Sequence, residues 1–279
     1  MLSAHPVPSR IGKNMSIKHH LEAGVGLALK SGIGLLSPSV SAAAGGGLLR
    51  FIGPRLRAHR TALRNVQRCF GNSGHTTLID GIWNNLGRTL FEYPHLHRLQ
   101  QSGCIEICGL EHLQAASALG RGGIFLSAHL ANWECTPFLL NSAQVPTTIL
   151  YRAPNNPYMR DMLQRFRPQG STRFVPKSMS GTKQAFQALA RGEYVGLLID
   201  HRYNRGIEVN FLGGQAIIAP TAALMALCYQ APLMPVRCER LDSGKYRVSL
   251  SPPLAFPDSN LPVTQQVQII MQQAFTLLE

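Results

Sequence analysis

A histidine and a glutamate lie five positions apart in residues 124–134, IFLSAHLANWE. The apolar residues before His129 predict a buried strand, and the residues from Asn132 onward predict the start of a helix. His129 would then occupy the turn, where the Glu134 carboxylate can reach back to one ring nitrogen and fix the tautomer. The other nitrogen would be free to accept a proton, as in a Ser-His-Asp triad whose serine is replaced by a substrate hydroxyl. A histidine after a strand is more often structural, so the spacing alone leaves that interpretation open.

The elements that must position these residues alternate from residue 105 onward. Strands are predicted at 122–128, 146–151, 172–175, 194–199, 207–211, 233–238 and 246–250. Helices are predicted at 133–140, 157–166, 181–190, 219–229 and 262–278. This alternation predicts an α/β fold with a mixed, mostly parallel sheet flanked by helices. Sites in such sheets lie at the carboxyl ends of strands, which is where His129 falls.

The N-terminal part of the chain is predicted to be mainly helical and does not alternate strands with helices. Residues 48–70 look helical with a break at Gly53 and Pro54, and residues 76–101 also look helical. Residues 37–47, SPSVSAAAGGG, favour a turn or hinge. The uncharged stretch 31–49 is diluted by Gly, Ser and Pro, which favours an interfacial segment over a true span. A single span and an ordinary packed helix stay open as alternatives.

Charge is concentrated in the first third of the chain. The 279 residues carry a formal net charge of +13, and residues 1–100 account for 12 Lys/Arg against 3 Asp/Glu. Such a field attracts anionic lipid, nucleic acid or an acidic protein partner. No finger spacing, base-reading basic helix or aromatic RNA-binding stripe is present, so we predict that the chain does not bind nucleic acid.

Several familiar catalytic and ligand-binding motifs are missing. The chain has no Gly-x-Ser-x-Gly elbow, no His-Glu-x-x-His zinc motif and no complete dinucleotide fingerprint. Its six cysteines form no Cys-x-x-Cys pair, which favours reduced thiols over a metal centre. We therefore predict no metal and no bound cofactor.

Four ordered blocks carry a resemblance to a known family. AHLANWE (128–134) resembles the His, four residues, acidic motif of the glycerolipid acyltransferase superfamily. YRAPNNP (151–157), the block 181–213 that contains LLIDHR, and APLMPVRCER (231–240) follow it in order, and WNNLGRTLFEYPHL (83–96) precedes it. Together they are similar to the lipid A late acyltransferases, the lauroyl and myristoyl transferases, over most of residues 48–255.

The resemblance implies an acyl carrier protein thioester as donor and a hydroxyl of a lipid A precursor as acceptor. It further implies work at an anionic membrane surface, on the cytoplasmic face of the inner membrane. The chain would divide into a membrane-associating segment and hinge at 1–47 and an acyltransferase domain at 48–279. That domain would comprise a helical lead-in (48–103) and an α/β core (104–279).

Five further residues are candidates for the substrate site of such an enzyme. Arg152 follows a strand and could hold an acceptor phosphate or support the oxyanion. Asp200 ends an apolar strand and could orient a basic side chain, or could simply cap a turn. Arg165 and Lys177 could contact the anionic acceptor or be solvated. Asn132 could belong to the substrate site or only shape the turn.

Two alternatives to this function stay open. The chain could be an acyltransferase of the same superfamily that acts on another lipid. It could also be a catalytically degenerate relative that only binds membranes, because the lipid A family usually continues into a Trp- and Arg-rich tail beyond the last helix.

Overall fold

A seven-stranded sheet forms the centre of the computed structural model, which describes residues 32–71, 75–167 and 170–279. The strands are β1 (Ile105–Cys108), β2 (Gly123–Ser127), β3 (Thr147–Tyr151), β4 (Thr172–Pro176), β5 (Tyr194–Leu198), β6 (Arg202–Phe211), β7 (Gly214–Ile218), β8 (Leu233–Arg240) and β9 (Tyr246–Leu250). The order across the sheet is β1-β9-β8-β2-β5-β3-β4, and β6 and β7 form a separate antiparallel hairpin. All neighbours in the large sheet are parallel except β8 and β9. The predicted fold class is therefore confirmed.

Helices flank this sheet and precede it. They are α1 (Pro38–Ile52), α2 (Arg57–Phe70), α3 (His75–Glu92), α4 (Leu96–Gln101), α5 (Leu110–Ser117), α6 (Thr136–Ser142), α7 (Pro157–Phe166), α8 (Met179–Ala190), α9 (Thr221–Tyr229) and α10 (Val263–Thr276). Over the described ranges, no helix is both long enough and apolar enough to cross a bilayer.

Two hydrophobic cores cover the two faces of the sheet. On one face, α8, α9 and α10 pack small and branched side chains such as Ala188, Ala223 and Ile270 against the strands. On the other face, Phe125 of β2 packs with Phe138 of α6. Because both faces are covered, β2 is buried along its whole length, which explains its uninterrupted apolar sequence.

The helical lead-in packs through small residues. Gly45 of α1 lies against Gly87 of α3, and a Cβ on either glycine would overlap the backbone of the other. Residues 38–47 belong to helix α1, and Ser37 caps its start. The prediction of a turn or hinge in 37–47 is therefore wrong beyond Ser37. The glycines serve a close helix crossing, and α1 runs across the predicted boundary between residues 47 and 48. Residues 1–31 of the predicted membrane-associating segment lie outside the described residues.

Candidate active site

The register of two central strands brings His129 and Asp200 together. β2 and β5 are parallel neighbours, with Ser127 opposite Leu198. His129 and Asp200 each follow two residues later, so they meet at the carboxyl edge of the sheet. The Nδ1 atom of His129 lies 2.9 Å from Oδ1 of Asp200, and the backbone N–H of His129 donates to Oδ2 at 2.9 Å.

The Asp200 carboxylate is held in its charged form by this contact. Burial by itself raises the pKa of Asp200, but the hydrogen bonds and charge of His129 outweigh it and leave the pKa below its usual value. A charged carboxylate keeps the proton of a neutral imidazole on Nδ1 and leaves Nε2 as the acceptor. The His129 side chain is 34% exposed, so this acceptor is open to a substrate.

Glu134 does not contact His129, and the predicted pairing of these two residues is wrong. Its side chain is 4% exposed and accepts two hydrogen bonds of 2.9 Å from the guanidinium of Arg167. A third hydrogen bond of 2.7 Å comes from the Tyr93 hydroxyl. The carboxylate points into the interior because Glu134 lies in the 3₁₀ turn Trp133–Cys135, where it is buried.

The Glu134–Arg167 pair is a buried ion pair. The guanidinium of Arg167 contacts two aromatic rings, 4.4 Å from the Tyr151 centroid and 4.2 Å from that of Phe174. Burial opposes the charge of Arg167, yet the hydrogen bonds and charge of Glu134 outweigh it and raise the pKa of Arg167. Burial and the neighbouring carboxylate both raise the pKa of Tyr93, so its hydroxyl stays a donor.

Asn132 shapes the turn that follows His129 and is fully buried. Its amide oxygen accepts from the backbone N–H of Glu134 at 3.2 Å, and its amide nitrogen donates to Glu92 at 2.9 Å. Glu92 in turn pairs with Arg240. Since both polar ends of the Asn132 side chain are occupied inside the protein, the prediction that it contacts substrate is wrong.

Helix α3 fixes the strained residue of the same turn. Ala131 has φ +46°, a left-handed conformation that is unfavourable for a residue with a Cβ. Its carbonyl accepts hydrogen bonds from Asn85 at 3.0 Å and Thr89 at 2.8 Å. Together with Glu92, these residues place three polar contacts on one side of α3, so the helical lead-in holds the turn that carries His129.

Two of the predicted basic residues lie beside the site. β3 and β4 are parallel neighbours with Tyr151 opposite Pro176, so Arg152 and Lys177 follow side by side at the same edge of the sheet. Both are exposed. Arg165 is exposed on α7, and no described contact joins it to His129 or Asp200.

A second imidazole stands next to His129. The His201 ring centroid lies 4.7 Å from that of His129 in an edge-on arrangement. Burial and the nearby His129 lower the pKa of His201, and the charges of Lys177 and Arg152 act in the same direction.

His129, Asp200 and His201 each offer one donor atom within 4.8 Å of the others, so this set could hold a metal ion. Two imidazoles and a carboxylate suit zinc, but only one of the three is anionic and two cationic side chains lie nearby. The prediction that no metal is used stays a prediction.

A narrow cavity of about 60 Å³ lies next to Ser127 and Trp133, on either side of the turn that carries His129. Its walls are mostly apolar and include Phe125, Trp133, Leu140 and Leu197. The Trp133 ring that forms part of the wall is also 4.9 Å from the His129 ring, centroid to centroid. Trp133 therefore separates the cavity from the His129 imidazole.

Comparison with known proteins decides the family. Residues 12–276 match the sequence profile of the bacterial lipid A biosynthesis acyltransferases. The chain belongs to this family. A lipid A biosynthesis acyltransferase of Haemophilus influenzae is 24% identical over 220 residues, which are 75% of this chain and 68% of that protein. A crystal structure of the 1-acyl-sn-glycerophosphate acyltransferase PlsC of Thermotoga maritima superposes with a TM-score of 0.34 at 12% identity, covering 82% of this chain and 97% of that one.

Family membership gives this lipid A acyltransferase its reaction class, acyl transfer in lipid A synthesis. The geometry adds residues that the sequence did not single out, among them Arg167, Thr89 and His201. Arg167 and Thr89 carry no local signal, because their partners are 33 and 42 positions away. His201 stood next to Asp200 in the sequence, and its position beside a strand-end carboxylate was a usable signal.

Proposed function

We propose that this lipid A acyltransferase transfers a fatty acyl group from an acyl carrier protein thioester to a hydroxyl of a lipid A precursor, with His129 as general base. The observation that carries the proposal is the His129–Asp200 pair, about one third and one quarter exposed (34% and 25%), at the carboxyl edge of the sheet and near an apolar cavity. The donor acts as a co-substrate, and the mechanism requires no bound cofactor.

The proposed reaction is a base-assisted attack on the thioester. Nε2 of His129 accepts the proton of the acceptor hydroxyl while the hydroxyl oxygen bonds to the carbonyl carbon. The carbon–sulfur bond then breaks, and the leaving sulfur takes the proton from the imidazolium to give a free thiol. Asp200 stabilises the imidazolium through Nδ1, and base catalysis of this kind contributes roughly 10²–10⁴-fold.

The charges around the imidazole support an anionic acceptor. Arg152 and Lys177 lie at neighbouring strand ends and are exposed, so they can contact a phosphate or support the oxyanion. We assign the acceptor phosphate to this pair. Arg165 stays a further candidate for the same headgroup.

The apolar cavity is proposed to take the proximal part of the acyl chain. Its volume of about 60 Å³ equals roughly two water molecules in the liquid. A full acyl chain therefore fits only if a wall moves, and Trp133, which touches both cavity and imidazole, is the side chain placed to do so.

We further propose that the enzyme works at the cytoplasmic face of the inner membrane. The helical lead-in leaves several large apolar side chains exposed, among them Phe51 (66%), Val40 (53%) and Leu90 (46%). Arg50, whose side chain is 53% exposed, lies on the same helix as Phe51 and Val40. Exposed apolar side chains beside a cationic one suit an anionic bilayer surface.

The test is an assay with purified protein, acyl carrier protein thioesters of several chain lengths and the Kdo-bearing tetraacyl precursor. We expect an added acyl chain by mass spectrometry, and we expect His129→Ala to abolish it with unchanged circular dichroism. His97→Ala, an exposed histidine on α4, is the matched control and should retain full activity. Transfer that persists in His129→Ala would reject the assignment of the base.

Transfer to a lysophospholipid or ornithine lipid in place of the precursor would favour another lipid acceptor. Binding to vesicles with no turnover of any thioester would favour a degenerate, membrane-binding relative.

A further inference from the structure

Helix α2 carries four arginines along a single face. Arg57, Arg60, Arg64 and Arg68 are spaced by three, four and four residues, which places them within about 80° of one another around a helix of 3.6 residues per turn. All four are exposed. We call this set the α2 arginine stripe.

The stripe is electrostatically unfavourable within the chain itself. Like charges at i and i+4 destabilise a helix, and a cation in the first turn opposes the helix dipole. Helix α2 has no acidic residue in its first turn and no side-chain cap. Among the described residues, none of the four forms an ion pair, and Asp80, the one acid in residues 32–91, pairs with Arg50. A merely solvated face would place glutamates between the arginines.

Packing on the opposite side keeps α2 in place. Val66 is buried on that side against α3, with Ala62 and Leu63 packed beside it. The indole of Trp83 donates a hydrogen bond to His59 at 3.2 Å. Arg57, Arg60 and Arg64 therefore face solvent, opposite the apolar face. The Arg68 side chain, at the end of the stripe, lies along Gly214 at the start of β7.

The location connects the stripe to the active site. Trp83 contacts α2, and Thr89, six residues along α3, contacts the turn two residues from His129. Six residues of helix correspond to about 9 Å. A partner bound to α2 would therefore be separated only by α2 itself from α3, the helix that holds the catalytic turn.

We propose that the α2 arginine stripe is the docking surface for the acidic acyl carrier protein that delivers the thioester. The inference rests on the proposed function and names the surface where the donor binds. Positive charge suits an acidic protein and an anionic bilayer alike. The orientation of α2 favours the protein, because its apolar face is turned inward and its large exposed apolar residues, Leu56 and Phe70, lie only at its ends. A helix that lies on a membrane turns its apolar face to the lipid.

The test compares two donors that share the same reacting group. Kinetics are measured for Arg60→Glu/Arg64→Glu with an acyl carrier protein thioester and with the matching acyl-pantetheine, which lacks the protein. We expect KM for the carrier protein to rise by ~10-fold or more, with the difference shrinking at high salt. Rates with acyl-pantetheine should stay at the wild-type value, which also shows that the variant is folded.

The matched control is Arg121→Glu/Arg237→Glu, which changes net charge equally at two exposed positions outside α2. It should leave KM for the carrier protein within about twofold, since steering depends on where the charges lie. Equal carrier-protein KM in wild type and Arg60→Glu/Arg64→Glu would overturn the proposal. So would loss of binding to anionic vesicles with that KM unchanged, which would assign the stripe to the membrane. Absence of wild-type turnover with both donors would instead refute the proposed function.

Discussion

Glu134→Gln separates a structural role for this carboxylate from a catalytic one. The substitution removes the charge that balances Arg167, while both side chains are under 10% exposed (4% and 7%). Breaking a buried ion pair by neutralising one partner typically costs about 3–5 kcal/mol. Here the substitution weakens the bidentate pair of hydrogen bonds and leaves the buried charge of Arg167 without its counter-charge. At about 2–4 °C per kcal/mol for a chain of this size, the melting temperature should fall by roughly 6–20 °C.

The surface pair Arg191–Glu193 provides the matched control. It is also bidentate, with contacts of 2.7 and 2.8 Å, but its side chains are 50% and 28% exposed. Glu193→Gln should cost no more than about 1 kcal/mol, because exposed pairs are screened by solvent. The assay is thermal unfolding followed by circular dichroism for both variants.

A double variant measures the coupling directly. Glu134→Gln/Arg167→Met removes both charges, so it should be more stable than Glu134→Gln alone. The reasoning is refuted if Glu134→Gln has the melting temperature of the wild-type protein and yet loses acyl transfer. That result would mean that the carboxylate acts on the reaction and does not serve chiefly to hold the interior together.

Three further changes test the turn that carries His129 and the helical lead-in that supports it. Thr89→Val removes one of two donors to the Ala131 carbonyl and should lower kcat several-fold, as a misplaced base does, with KM for both substrates unchanged. Ala131→Gly relieves a residue at φ +46°, and thermal unfolding should show a gain of about 1 kcal/mol or less; a loss would show that the alanine is not strained there. Gly87→Val forces α1 away from α3, so the protein should lose several kcal/mol by denaturant titration, whereas Gly81→Val, where a Cβ meets open space, serves as control.

The sequence predicted the large elements because their signals are local. Helix α7 was placed at its observed limits, and β2, β3, β5 and β9 to within one residue at each end. An apolar run bounded by Gly or Pro identifies a strand without knowledge of its neighbours. Strands β1 and β7 were not predicted, because Glu106 interrupts the apolar pattern of β1 and Gln215 that of β7, and each pairs with the strand beside it.

The candidate site was predicted only in part. His129 was identified by its position after a buried strand, and Asp200 by the same reasoning. The choice of Glu134 as the partner failed because proximity in sequence was taken for proximity in space. Strand register brings residues 129 and 200 together across 71 positions. Arg167, the buried cation that pairs with Glu134, lies 33 positions from it in the sequence. Neither relation has a local signature in a single sequence.

The most direct measurement is the transfer rate of Asp200→Asn. Its amide still bonds to the ring but no longer favours the Nδ1–H tautomer or stabilises the imidazolium. We expect kcat to fall by about 10²–10⁴-fold, with KM and melting temperature near wild type, while the exposed Asp161→Asn keeps full activity. A wild-type kcat in Asp200→Asn would contradict the assignment of Asp200 as the partner of the catalytic base.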